Sequence, residues 1–328
     1  MSKGWSAIRL QVFLAVLWWC CLHGLVATGA QPIQVPSPQK NHSHRLGRAL
    51  WVWRPTFIEK AEETQHFLDF VQARNIKTIF LFASIKRLPN DPETFRTFLR
   101  LAHSRGLGVH ALNGEPSWIF PDQRLNAAAF IEAVLRYNAE SPAEAQFDAI
   151  HLDVEPHALR EWKAGKQKEI IPHYLKFLKW SRDQARQGRI PLALDIPIGF
   201  NQITFGSSHL TAAVLNLVDE VSVMAYRNRP EDVIKVARPS VEQAAIKGKK
   251  VWIGISADPA QLRGVGPEQP AEADLEKLVL QVEAAFLGNQ TLLGIAIHDY
   301  DRYRRLTPAA ALASGGNSMR KFHEPPRH

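Results

Sequence analysis

The sequence predicts an α/β protein, a (β/α)8 TIM barrel formed as a single domain behind an N-terminal signal peptide. Three observations predict it. From Ala49 onward, eight short apolar runs alternate with amphipathic stretches. Most of the runs last four to six residues and are rich in Val, Ile, Leu or aromatics, as strands of a parallel sheet covered by helices must be. Eight such units fill about 260 residues, close to the ~250 typical of this barrel. A doubly wound open sheet is the competing topology. It calls for a Gly-rich phosphate turn after the first strand, and Trp51-Val52-Trp53-Arg54-Pro55 offers none.

The strand-like runs are Leu50–Trp53, Thr78–Phe82, Gly108–Leu112, Ala149–Val154, Leu192–Ile196, Val221–Ala225, Val251–Ile255 and Gly294–Ile297. Helical periodicity separates them. Ile58–Ala73 places Phe67, Phe70 and Val71 on one face, and Pro92–Ser104 repeats Phe95, Phe98, Leu99 and Ala102 at i, i+3, i+4 and i+7. Asp91 is positioned as the N-cap of that second helix. Ala127–Asn138, Ile171–Gln187, Leu210–Leu217, Glu231–Ile246 and Ala273–Phe286 follow. Gly106, Gly188, Gly248 and Gly288 stand where helices should stop.

The segments flanking the barrel read differently. Residues 1–30 form a leader: a basic start, the apolar run Val12–Leu22, and a small-residue cleavage site at Thr28-Gly29-Ala30. The apolar run spans 11 residues, whereas a membrane helix needs about 20. Export to the periplasm or the exterior is therefore expected, with no stable membrane insertion after cleavage; an uncleaved N-terminal anchor is the alternative. Cys20 and Cys21 leave with this leader, which removes disulfide, thiol and thiolate-metal chemistry from the mature chain. Residues 31–47 read as a polar, Pro-containing linker, 48–314 as the barrel, and 315–328 as a frayed tail. The 40 Lys and Arg against 32 Asp and Glu are interleaved along helices without a basic block, so no nucleic-acid partner is expected.

Barrel chemistry sits at the C-terminal ends of the strands. The fourth run carries the sharpest signal. Alternation places Ala149, His151, Asp153 and Glu155 on one face and Ile150, Leu152 and Val154 on the other. The apolar set suits the helix-covered outside, so the polar set points inward. Same-face residues are roughly 6.6 Å apart along a strand, which puts Asp153 directly below Glu155. A carboxylate below a carboxyl raises the upper pKa, which suits Glu155 to general-acid work. A hydrated polar layer without catalysis is the alternative. Glu115, Asp195 and Asp299 end other strands and are candidate partners for Glu155. Trp51, Trp53, Trp118 and Tyr300 are candidate sugar platforms, with Trp118 favoured by its Pro-flanked loop. His110, His151 and His298 with Asp153 form a candidate metal set. Amidohydrolase barrels draw on a His pair at strand one, which is absent here, so neither metal nor other cofactor is expected.

Phe147-Asp148-Ala149-Ile150-His151-Leu152-Asp153-Val154-Glu155 resembles the strand-four signature of family 18 glycoside hydrolases, the chitinase-like barrels. That signature reads Asp-x-x-Asp-x-Asp-x-Glu; Asp148, Asp153 and Glu155 match, and His151 replaces the middle Asp. Val223-Met224-Ala225-Tyr226 resembles the family's Met-x-Tyr-Asp motif, with Arg227 in place of the Asp. Where the family has an inward Trp at strand eight, this chain reads Ile297-His298-Asp299-Tyr300. The resemblance implies a carbohydrate substrate and a substrate-assisted retaining mechanism. Glu155 would protonate the glycosidic oxygen, Asp153 would orient a substrate N-acetyl group, and Tyr226 would hydrogen-bond its carbonyl. A charged His151 would hold Asp153 ionised, and Arg227 would suit an acidic or deacetylated sugar. A catalytically silent barrel that binds glycans or an envelope partner is the other reading.

The leader makes one direct prediction: intact-mass analysis of exported protein should give a chain starting near Gln31. A species retaining Met1, or a lipid adduct on Cys20, would overturn the cleaved-signal reading.

Overall fold

Eight parallel strands close into a barrel in the computed structural model, which describes residues 46–263 and 271–306. The barrel strands are β1 (Gly47–Val52), β2 (Ile76–Phe82), β3 (Gly108–Asn113), β4 (Ala149–Leu152), β5 (Leu192–Pro197), β8 (Glu220–Met224), β9 (Lys250–Ser256) and β10 (Leu292–His298). A two-stranded hairpin, β6 (Thr204–Phe205) and β7 (Ser208–His209), interrupts the connection after β5. Every barrel strand pairs in parallel with its neighbours in chain order, and β1 closes the ring against β10 through Ala49 opposite Ala296. The open-sheet alternative is thereby excluded. The proposed leader, the tail and most of the linker lie outside the described residues; β1 begins at Gly47, one residue before the expected boundary. Among the described residues, no helix is long and apolar enough to cross a membrane.

Side-chain alternation explains why these runs are strands of a barrel. Leu50, Val52, Ile79, Leu81, Val109, Ile150, Leu152, Val221, Val223, Ile253 and Ile295 face outward, buried under the helical layer. Ala49, Trp51, Phe80, Leu112, Trp252 and Ala296 form a separate interior cluster. The helices follow the predicted periodicity: Ala61–Ala73 buries Phe67, Phe70 and Val71, and Pro92–Ser104 buries Phe95, Phe98, Leu99 and Ala102. Burying such a side chain contributes about 1.5–3 kcal/mol, so the outer layer supplies most of the barrel's cohesion. The first helix starts later than predicted because a 3-10 turn, Thr56–Glu59, precedes it. Asp91 occupies the N-cap position, but its carboxylate makes no capping hydrogen bond and instead lies 3.8 Å from Arg87.

Two polar devices fix where β4 ends. Asp148 Oδ2 accepts from Val109 N at 2.6 Å and lies 3.1 Å from His103 Nε2, which ties the start of β4 to β3. At the other end, Asp153 N donates to Asn113 O at 3.0 Å, and Asn113 Nδ2 donates to Ala83 O at 2.8 Å. Gly114 permits this approach. A Cβ built on it would stand 2.1 Å from Asp153 O, well inside any real contact. Gly114→Ala should therefore destabilise the fold by about 1–3 kcal/mol, the usual range for overpacking. Urea denaturation measures this, and an unchanged midpoint would mean that the β3–β4 mouth is not closely packed.

Candidate active site

A pocket of about 400 Å3 opens at the C-terminal mouth of the barrel. Its wall is built from the ends of five strands and the turns that follow them. Trp51 comes from β1, Asp153, Glu155 and His157 follow β4, and Asp195 and Pro197 end β5. Met224 ends β8 with Tyr226 and Arg227 beyond it, and His298 ends β10. Alternation within each strand produces this convergence: Trp51, Asp195, Met224 and His298 all stand at inward positions of their strands. Gly254 on β9 keeps the floor low, since a Cβ there would meet the Trp51 ring at 3.3 Å and the Tyr226 ring at 3.4 Å.

Asp195 is the deepest carboxyl group, only 1% exposed. Its Oδ2 accepts from Trp51 Nε1 at 2.9 Å, and its Oδ1 lies 2.9 Å from His151 Nε2. His151 is fully buried and sits one layer below the pocket, packed on Phe80 with ring centroids 4.2 Å apart. Burial lowers its pKa to about 4. This corrects the expectation of a charged His151 beside Asp153: the imidazole is neutral at ordinary pH, and its carboxylate partner is Asp195. The cost of burying an imidazolium outweighs what a nearby carboxylate returns.

Asp153 and Glu155 have opposite electrostatic surroundings. Burial, then the neighbouring Asp195 and Glu155 charges, hold the Asp153 carboxyl well above the usual carboxylate range. Its Oδ1 is buried without a hydrogen-bond partner among the described residues. Glu155 is held below its usual range, chiefly by His157, whose Nε2 lies 2.9 Å from Glu155 Oε2. The order is therefore the reverse of the expectation: the lower carboxyl keeps the proton and the upper one is ionised. Like charges this close cannot all ionise; burial pushes Asp195 well above the usual carboxylate range too, so the enclosed carboxyls, Asp153 and Asp195, hold protons in preference to Glu155. His157 was not predicted, although its place two residues after Glu155 puts it on the same side of the turn.

The other candidates divide cleanly. Tyr226 lines the pocket and its ring stacks obliquely on His298 at 5.3 Å. Burial and then the Asp195 and Asp153 charges push its hydroxyl pKa up, so it is a neutral donor. His298 Nε2 accepts from Trp53 Nε1 at 3.3 Å, which places Trp53 beside the mouth. Arg227 stands exposed on the rim, bonded to the Tyr226 carbonyl at 2.8 Å. Glu115 is exposed, and close enough to add to the upward push on Asp153.

Three residues do not face the pocket. Trp118, the favoured platform, is 2% exposed and packs on Phe130 in the helical layer, because the turn Pro116–Ile119 folds it away from the mouth. Tyr300 lies among Phe57, Phe67 and Phe70 outside the barrel, with its ring 4.9 Å from Phe67. Asp299 is an ion-pair partner of Arg302 and accepts from its backbone N at 3.0 Å, so it serves the start of the last helix. Parity explains both: His298 is the inward residue of β10, and the chain turns into a helix immediately after it.

No family model and no curated protein sequence matches the chain. Solved structures do. A GH18 chitinase from Pseudoalteromonas aurantia superimposes at a TM-score of 0.53 with 12% identity, over 82% of this chain and 99% of that one. A protein described as a putative alpha-L-fucosidase from Bacteroides thetaiotaomicron gives 0.51 at 13% identity, over 80% and 96%. The PgaB (BpsB) glycoside hydrolase domain of Bordetella bronchiseptica gives 0.49 at 14%, over 84% and 100%.

The buried Asp153 carboxyl makes a stability prediction. Its folded pKa lies above the ordinary value of about 3.9, so its contribution is full below that pH and declines as pH rises. Asp153→Asn cannot ionise and should melt increasingly above the parent protein as pH climbs from about 4 to 7. A Tm difference that does not change with pH would mean that Asp153 titrates normally. Taken with the closed parallel strand order, the superpositions on the chitinase and the fucosidase-described protein show that the chain has the (β/α)8 barrel fold.

Proposed function

We propose that the protein is a glycoside hydrolase acting on a hexosamine-containing polysaccharide, with Glu155 as the general acid/base. The observation that carries this reading is the pair of carboxyl groups lining one pocket, Asp153 enclosed and Glu155 beside His157, at the mouth where such barrels hold their chemistry. The fold shared with a GH18 chitinase supports it.

The site residues fit a substrate-assisted route. A sugar entering the pocket displaces water from Glu155 and draws it from His157, which returns its pKa upward. The proton held by Asp153 passes to Glu155, and Asp153 becomes the carboxylate that accepts the acetamide N–H. Glu155 gives that proton to the glycosidic oxygen as the bond to the anomeric carbon breaks, while the acetamide oxygen bonds to that carbon. Tyr226 donates to the acetamide oxygen and aims it at the anomeric carbon, while the Asp153 carboxylate at the N–H meets the positive charge that the acetamide develops. Glu155, now a carboxylate, takes a proton from the water that completes hydrolysis. Arg227 on the rim is a cation outside the reacting centre, which favours an acidic glycan over one rich in free amines.

Turnover on oligosaccharides of N-acetylated, deacetylated and acidic hexosamines tests the proposal. Glu155→Gln should lose about 10²–10⁴-fold in rate while still binding the sugar. Wild-type turnover by that variant on a verified substrate would remove Glu155 from catalysis. Binding without turnover by the unmutated protein would establish a silent glycan-binding barrel instead.

A further inference from the structure

Below the pocket, the interior holds a second polar cluster that the proposed hydrolysis does not use. His110 on β3, His151 on β4 and Glu220 at the start of β8 bring one ligand-capable atom each to within 4.8 Å of one another. All three side chains are sequestered: His151 is 0% exposed, His110 10% and Glu220 15%. Their polar atoms are unsatisfied. His110 Nδ1, His151 Nδ1 and Glu220 Oε1 are each buried without a hydrogen-bond partner among the described residues. Trp252 Nε1, on β9 at an inward position, is in the same condition. Leaving buried polar atoms unpaired is costly, so four on one interior wall call for an occupant.

We propose that His110, His151 and Glu220 bind one divalent transition-metal ion of the zinc class within the barrel. Three features favour a cation over a water molecule. His110 Nδ1 and Glu220 Oε1 are 3.3 Å apart yet not aligned for a hydrogen bond. Two ligands held at about 2.0–2.1 Å on one tetrahedral ion stand roughly that far apart. Glu220 has no Lys or Arg partner among the described residues, and a buried carboxylate needs a counter-charge. Third, His151 turns its other nitrogen, Nε2, to Asp195 at 2.9 Å, and Asp195 is in turn held by Trp51. A carboxylate behind the outer nitrogen of a metal-bound imidazole is the usual means of fixing its tautomer and orientation.

Two imidazoles and one carboxylate suit zinc rather than calcium or magnesium, which prefer all-oxygen shells. The set differs from the one weighed in the sequence: His298 and Asp153 belong to the mouth, and Glu220 takes their place. A position away from the C-terminal face marks the ion as structural. Its effect on the pocket passes through the tautomer of His151, which then presents Nε2–H to Asp195.

Zinc loading of the untagged full chain tests this. After incubation with Zn2+ and dialysis, plasma mass spectrometry should find one equivalent per chain, and EDTA should remove it with a fall in Tm. His110→Gln and Glu220→Gln should each lose the retained zinc, whereas His157→Ala should keep it. No retained zinc, which would leave water as the occupant, or equal retention in every variant, would overturn the assignment. Should the two variants fail to fold, X-ray absorption at the zinc edge of the unmutated protein decides: two imidazoles among nitrogen and oxygen ligands at about 2.0–2.1 Å are expected. A first shell with no imidazole, or with three or more, would overturn it.

Discussion

Closing eight short strands into a ring obliges every second residue to point into a space that water barely enters, and this chain fills much of that space with polar groups. The outward residues are Val, Ile, Leu and Ala under helices, and their burial supplies the cohesion of the ring. The inward column is Trp51, Phe80 and Leu112 packed around His110, His151, Asp195, Ser222 and Trp252. An inward polar atom is costly unless it finds a partner across the barrel. That requirement ties the strands to one another more specifically than apolar packing does.

Asp195 is where the requirement is met most fully. It joins Trp51 from β1 to His151 from β4 across the interior, with 2.9 Å contacts on both oxygens. The same carboxylate forms part of the pocket floor and contributes to holding the proton on Asp153. A hydrogen bond that organises the core thus also sets the charge state of the residues above it. The effect is transmitted by Coulomb repulsion in a poorly solvated pocket, where it falls off slowly and needs no movement.

The ionisation order at the mouth follows from solvent access. Glu155 reaches the rim, where water and His157 stabilise its anion; Asp153 is enclosed by the end of β3, with Gly114 admitting its backbone and no donor reaching Oδ1. Intrinsic carboxyl pKa values differ little between Asp and Glu, so burial of Asp153 and the His157 contact to Glu155 together assign the proton. The histidine inside the barrel fits the same physics. A His at 151 can stay neutral when buried, and it meets the Asp195 carboxylate through one nitrogen while turning the other toward Glu220 and His110.

The alternation of strand and helix, the number of units, the outward Val/Ile/Leu face and the inward parity of His151, Asp153 and Glu155 are all local properties, and periodicities of 2.0 and 3.6 carry them without any knowledge of the fold. The sequence by itself therefore determined the barrel and the strand that bears its best carboxyl pair. What it could not carry was any relation between distant strands. That His151 meets Asp195 rather than Asp153, and that Glu220 joins His110, depend on which side chains closure brings face to face. Trp118, Asp299 and Tyr300 follow the last inward residue of their strands, where alternation stops and a turn or helix aims each side chain. Depth was likewise invisible: only tertiary structure decided that Asp153 is enclosed while Glu155 reaches the rim beside His157, and burial of the one and the imidazole contact of the other set their protons.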